Sequence, residues 1–185
     1  MRSRTMIRRI ATTVVAVLAV ASGTIQASAA DGPSVVTTRS DGATVRTAPG
    51  ADDATTQWAA SNPQAAAAAS NACGGKYTTL AYVDSRLPGD TTGEDNGSML
   101  GYVGGGLLCV LFVNETPGGA NYMYLRACPG TVSSTACGQD DGYFDQYAGP
   151  LYISQGSGGC FTVSYNMRNE KNTLNLINGK RSYSC

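Results

Sequence analysis

Carboxylates and tyrosines are the residues of this chain whose types and spacing could do chemistry, and no histidine stands beside them. Asp140, Asp141 and Asp145 form the densest acidic cluster, within residues 138–147. Carboxylates this close together supply the oxygen ligands that Ca²⁺ takes, although the Gly and Glu positions of an EF-hand loop are missing. A hydrated acidic turn uses the same residues, and it is the preferred reading, with no metal assigned. Asp84, Asp90, Glu94 and Asp95 form a second acidic stretch. Two carboxylates facing a cleft hydrolyse glycosidic bonds. No groove is evident around this stretch, so a small carboxylate-based hydrolase ranks last among the functions considered.

Ten tyrosines stand against one tryptophan and three phenylalanines, and all ten follow residue 76. Tyrosine joins an apolar ring face to a polar tip, which suits contact with sugars, polymers or proteins. Tyr122, Tyr124, Tyr147 and Tyr152 are the candidate binding residues. Most of the other tyrosines are expected to be ordinary half-buried strand residues. The missing histidine excludes Ser-His-Asp and Cys-His catalysis, histidine-ligated zinc and the usual pH switch near neutrality. The expectation is a non-enzymatic protein without a cofactor. Gly104-Gly-Gly106 precedes neither a lysine nor a helix and reads as a loop, not a phosphate cradle. Asn96-Gly-Ser98 and Asn114-Glu-Thr116 match the N-glycosylation pattern and are taken as chance matches, because the leader looks bacterial.

That leader sets the compartment. Arg2, Arg4, Arg8 and Arg9 precede an apolar run over residues 10–21, and Ala27-Ser-Ala29 offers small residues for cleavage. The run is shorter than the ~20 residues of a membrane span. A cleaved signal peptide at 1–29 is expected, and no later stretch is apolar enough to cross a bilayer. The 13 basic and 13 acidic residues then become 9 and 13, a formal charge of −4. Such mild acidity disfavours nucleic acid and anionic lipid as partners.

Residues 30–70 are rich in Ala, Thr, Ser, Asp, Gly and Pro, with turn signals at Asp41-Gly42, Pro49-Gly50 and Asn62-Pro63. So little apolar bulk predicts a flexible extension. The competing reading is a short helix through the alanines 65–69 that docks Trp58 on the domain. Residues 71–185 form the expected folded domain. Strands are predicted at 77–83, 107–113, 121–127, 151–154 and 161–165. The second, apolar throughout, should be central and buried on both faces. Turn chemistry predicts three hairpins. They join 107–113 to 121–127, 151–154 to 161–165, and 174–177 to 181–183 around Asn178-Gly179. Short strands with Gly turns indicate a small all-β antiparallel sandwich or barrel.

All six cysteines lie from Cys73 onward: Cys73, Cys109, Cys128, Cys137, Cys160 and Cys185. An even count in an exported chain reads as a disulfide framework. No CxxC pair is present, which disfavours redox or metal roles. Six cysteines allow 15 pairings, and spacing alone does not choose among them. A local Cys128–Cys137 bond is the simplest, Cys160–Cys185 would hold the C-terminus, and Cys73–Cys109 remains.

Three segments add up. They are Ala72-Cys-Gly-Gly-Lys-Tyr77, then Cys109-Val-Leu-Phe-Val-Asn114 with Thr116-Pro-Gly118, then Tyr147-Ala-Gly-Pro-Leu-Tyr-Ile-Ser154 ahead of Cys160. Residues 73–160 resemble the spore-associated protein A family of filamentous actinobacteria, small exported proteins with a leading Cys-Gly and a central Cys-Val strand. The chain departs from that pattern in its long 31–71 region, in the Cys128 and Cys137 pair and toward its end. The resemblance implies secretion, association with hyphae or spores, and no catalytic residue to carry over. The expected function is a secreted, non-enzymatic β-domain at or near the cell or spore surface, with cell-wall or spore-surface components as possible partners. An extracellular binding module or inhibitor for a polysaccharide or secreted protein is the alternative.

Overall fold

The computed structural model describes residues 35–39, 41–130, 136–154 and 159–183, all within the unit Asp31–Cys185. The expected signal peptide and Cys185 lie outside the described residues. The order of elements is β1 (Val35–Thr38), β2 (Thr44–Thr47), α1 (Asp53–Ser61), α2 (Pro63–Cys73), β3 (Thr79–Asp84), β4 (Gly97–Gly104), β5 (Leu107–Asn114), β6 (Asn121–Pro129), β7 (Gly138–Phe144), β8 (Tyr147–Ser154), β9 (Phe161–Arg168) and β10 (Asn175–Tyr183). A six-stranded sheet runs β1-β2-β3-β4-β5-β8, and a four-stranded sheet runs β10-β9-β6-β7. The fold is the expected all-β sandwich, antiparallel except where β2 runs parallel to β3.

β5 explains its own composition. Successive side chains of a strand point to opposite faces. Leu108, Val110 and Phe112 enter the core between the sheets with Met123, Leu125, Val163 and Tyr165. Cys109 and Leu111 enter a second core with Val45, Ala59, Ala69, Leu80 and Tyr102. A strand with cores on both faces must be apolar at every position, which is what residues 107–113 show.

The second core corrects the reading of residues 30–70 as a flexible extension. From Thr44 to Cys73 this stretch forms β2, α1 and α2, and the docked helix is the arrangement observed. Asp52 caps α1 by accepting the Thr55 amide at 2.7 Å, and Pro63 opens α2. Alanine costs no side-chain entropy in a helix, and its small bulk lets the backbone lie close to the sheet. The Tyr102 hydroxyl donates to the Ala66 carbonyl at 2.7 Å, and Val83 donates its amide to Thr55 Oγ1 at 2.9 Å. The sheet supplies most of the large side chains of this core, and the helices add Trp58 at its edge. Low apolar bulk was a poor guide to disorder for that reason.

None of the three expected hairpins forms. β5 and β6 lie in different sheets, as do β8 and β9. Turn residues reverse the chain without choosing the sheet that receives it. Consecutive strands pair instead at β1–β2, β3–β4, β4–β5, β6–β7 and β9–β10, and the β4–β5 turn runs through Gly105 and Gly106, both at positive φ. Asn178-Gly179 is no turn but the middle of β10, paired with Asn166 and Tyr165. A Cβ at position 179 would lie 2.6 Å from the Pro88 carbonyl oxygen and 2.7 Å from the Tyr165 hydroxyl. Glycine is required there because the 85–90 loop and Tyr165 close over the strand.

Asp90 holds the segment that follows this loop. Its carboxylate accepts the amides of Thr92, Gly93 and Asn96. Slight desolvation raises its pKa, but these hydrogen bonds outweigh that and leave it below its ordinary value of 3.8. The fold therefore favours the ionised form. Its contribution is complete above the unfolded carboxylate's pKa and is lost as pH falls through the lowered folded value. Urea denaturation should show stability dropping from about pH 5 to pH 3, and Asp90→Asn should flatten that drop. An equal pH slope in the variant would refute the assignment.

Two disulfides join described residues. Cys73–Cys109 ties the end of α2 to the centre of β5 with Cα atoms 5.9 Å apart, and Cys128–Cys137 ties β6 to the chain just before β7. The expected Cys160–Cys185 bond ends on a residue outside the described set. Among the described residues no helix is long and apolar enough to cross a membrane.

Candidate functional site

The helices pack against strands of the six-stranded sheet, and the outer face of the four-stranded sheet carries polar and aromatic side chains. Alternation along β6 selects them. Met123, Leu125 and Ala127 are fully buried, while Tyr122, Tyr124 and Arg126 point outward and are partly exposed. The register arranges three rows across β7, β6, β9 and β10. One is Tyr143, Tyr122, Arg168 and Asn175; the next is Asp141, Tyr124, Asn166 and Asn178; the third is Gln139, Arg126, Ser164 and Lys180. The Cys128–Cys137 bond stands at the end beyond the third row, with Arg126 Nη2 3.4 Å from Cys137 Sγ.

Local contacts fix this face. The Tyr122 and Tyr143 rings meet edge to face with centroids 5.6 Å apart, an arrangement favoured by the ring quadrupole. The Tyr122 hydroxyl donates to Asp141 Oδ2 at 3.3 Å, and Gln139 Nε2 donates to the other oxygen at 3.3 Å. Partial desolvation, and then the Asp141 charge, hold the Tyr122 phenol above its ordinary pKa, so it stays a neutral donor. Arg168 donates from Nε to Asn175 Oδ1 at 3.0 Å and from Nη1 to Asn172 Oδ1 at 3.1 Å. Tyr143 is 55% exposed, which makes its ring the most available on the face. The rows thus offer ring faces, amides, hydroxyls and cations on one surface.

The four candidate tyrosines do not converge. Tyr122 and Tyr124 share this face. Tyr147 packs on the helix-side core and lines a cleft of about 530 Å³ with Trp58, Ala69, Glu115 and Asp145. Tyr152 packs its ring 5.2 Å from Tyr77 and donates its hydroxyl to the Cys73 carbonyl at 3.1 Å. The acidic cluster also disperses. It lies along β7 and the following turn rather than in one hydrated turn. Asp140 accepts the Gly149 amide at 2.7 Å, Asp141 faces outward, and Asp145 is exposed beyond the strand. Among the described residues no group of three acidic or cysteine side chains is placed to hold a metal ion.

The second acidic stretch is divided among structural tasks. Asp84 pairs with Arg181 at 2.6 Å and accepts the Tyr183 hydroxyl at 3.2 Å, in a cleft of about 620 Å³ also lined by Trp58. Asp90 caps its loop, and Glu94 and Asp95 are exposed. Glu115 was not singled out in the sequence. Burial, opposed by the Ser98 hydroxyl and assisted by Asp95, holds its carboxyl above the ordinary range.

Sequence reasoning also missed Tyr143, Arg126, Asn166, Arg168 and Lys180. Strict alternation in Tyr122-Met-Tyr-Leu-Arg126 marks the outward side of β6. The partners on β7, β9 and β10 come together only through strand pairing. No family model, curated protein or solved structure matches this chain.

Proposed function

We propose that this chain is a secreted, non-enzymatic binding domain that acts at or near the cell or spore surface and holds a polysaccharide on the outer face of its four-stranded sheet. The observation that carries this reading is the row of Tyr143, Tyr122 and Arg168 beside Asp141, Tyr124 and Asn166. Tyrosine rings suit the C–H faces of sugars, and neighbouring amides and carboxylates suit their hydroxyls. The disulfides agree with an oxidising compartment, and the leader and the family resemblance support export to the cell surface.

Mature protein should be retained on a sugar polymer from a panel of isolated cell wall, chitin and soluble glycans. Tyr122→Ala and Tyr124→Ala should each weaken retention on the order of tenfold, the scale of an aromatic anchor. Their thermal midpoints should stay close to the parent value, because both rings lie on the exposed side. Undiminished retention in both variants would reject this face as the site. Turnover of any glycan or peptide in the panel would reject the non-enzymatic reading.

A further inference from the structure

We infer that the polymer is polyanionic: an extended sugar or polyol chain with repeated carboxylate or phosphate groups. This inference rests on the binding role proposed above. The outward positions of the four strands carry Arg126, Arg168 and Lys180 as cations and Asp141 as the carboxylate. The chain after the expected cleavage has 9 basic and 13 acidic residues. A net positive face on a net negative chain is a local concentration of charge, and complementary charge steers a partner to one surface.

The cations are also uncommitted to carboxylates. Among the described residues the ion pairs are Arg39–Asp41 and Arg181–Asp84. Arg168 is oriented by two asparagines, and Arg126 contacts a disulfide sulfur. Asp141 is engaged by Tyr122 and Gln139 within the face. Each guanidinium therefore keeps donors for a ligand, and its planar fork suits a carboxylate or phosphate.

Spacing favours an extended ligand over a compact one. Lys180 and Arg126 share a row two strands apart, which places their backbones about 10 Å from each other. Arg168 lies four residues along β9 from the Ser164 of that row, or about 13 Å. No single small anion spans such distances, whereas a chain with repeating charge crosses all three positions, with Asn166 and Ser164 between them and the Tyr122, Tyr124 and Tyr143 rings alongside on β6 and β7. The disulfides and the net charge favour an envelope polymer over nucleic acid.

The test uses the mature chain with four immobilised probes: polygalacturonate for carboxylate, poly(glycerol phosphate) for phosphate, a neutral β-glucan, and single-stranded DNA. Retention is expected on one or both of the first two and not on the neutral glucan. It should fall steeply between about 0.1 and 1 M salt, where the screening length shrinks from about 10 to about 3 Å. Lys180→Gln should weaken it about fivefold and Lys180→Glu more, the scale of one cation at an anionic surface. The Lys180 side chain makes no hydrogen bond or ion pair among the described residues, so these variants should keep the parent's thermal midpoint. Arg168→Lys should retain part of the binding that Arg168→Glu loses. Salt-independent retention, or Lys180→Glu binding as the parent does, would overturn the inference. Tyrosine-dependent retention on the neutral glucan would overturn it while leaving the binding role intact. Retention of DNA above both polyanions would also overturn it, and retention on none of the probes or wall polymers would remove both readings.

Discussion

Cys73→Ala combined with Cys109→Ala should lower the unfolding free energy by about 2–5 kcal/mol. The bond joins the last residue of α2 to the middle of β5, closes a separation of 36 residues, and has both residues buried at 1% and 0% exposure. In the chain-entropy account a loop of that length contributes about 4 kcal/mol, against roughly 2.5 kcal/mol for the nine-residue separation of Cys128 and Cys137. A local effect should accompany the global one. The bond anchors the helical layer, and Trp58 on α1 is the chain's one tryptophan. Its emission should move to longer wavelength at lower denaturant in the variant than the far-ultraviolet signal of the sheets changes. Coincident transitions with an unshifted midpoint would show that the bond does not hold the layer.

Phe112→Ala should cost about 3–5 kcal/mol, the range for deleting a buried aromatic ring and leaving a cavity. The side chain is fully buried in the core between the sheets, with its ring 5.7 Å from that of Tyr165. Its strand neighbours, Met99 and Ala148, cannot grow to fill the space. The adjacent Leu111 faces the other way, into the core that includes Trp58. Leu111→Ala should cost about 2–5 kcal/mol and also shift native Trp58 emission, which Phe112→Ala should leave in place. Denaturant midpoints with native emission spectra separate the two cores. Equal spectral shifts in both variants would mean that β5 does not divide them.

The apolar run of residues 107–113 was legible because being buried on both faces leaves no polar position, and the structure puts β5 between two cores. The region 44–73 was misread because alanine-rich helices need only a flat surface supplied by residues far along the chain. Asn178-Gly179 was misread because glycine serves close approach as well as turning. Only the 85–90 loop, packed over β10, shows which use applies. β4 and β7 were missed as strands. Their glycines at 97, 101, 104, 138 and 142 look like punctuation, and at 101 the reason is the Tyr82 ring, 1.8 Å from where a Cβ would sit.

The candidate face divides the same way. Tyr122, Tyr124 and Arg126 could be placed on one side of one strand by period alone, because alternation is local geometry. Their neighbours Asp141, Tyr143, Arg168 and Lys180 come from segments up to 58 residues away along the chain, and backbone pairing sets their register. By itself the sequence determined a cysteine-stapled β protein with an export-like leader and no histidine chemistry, since composition and short-range period suffice for those. Tertiary structure alone decided which strands share a sheet, that the alanine helices cover one sheet and that the opposite face gathers three cations among tyrosines. Long-range pairing is chosen by the joint packing of distant side chains, and no local signal carries it.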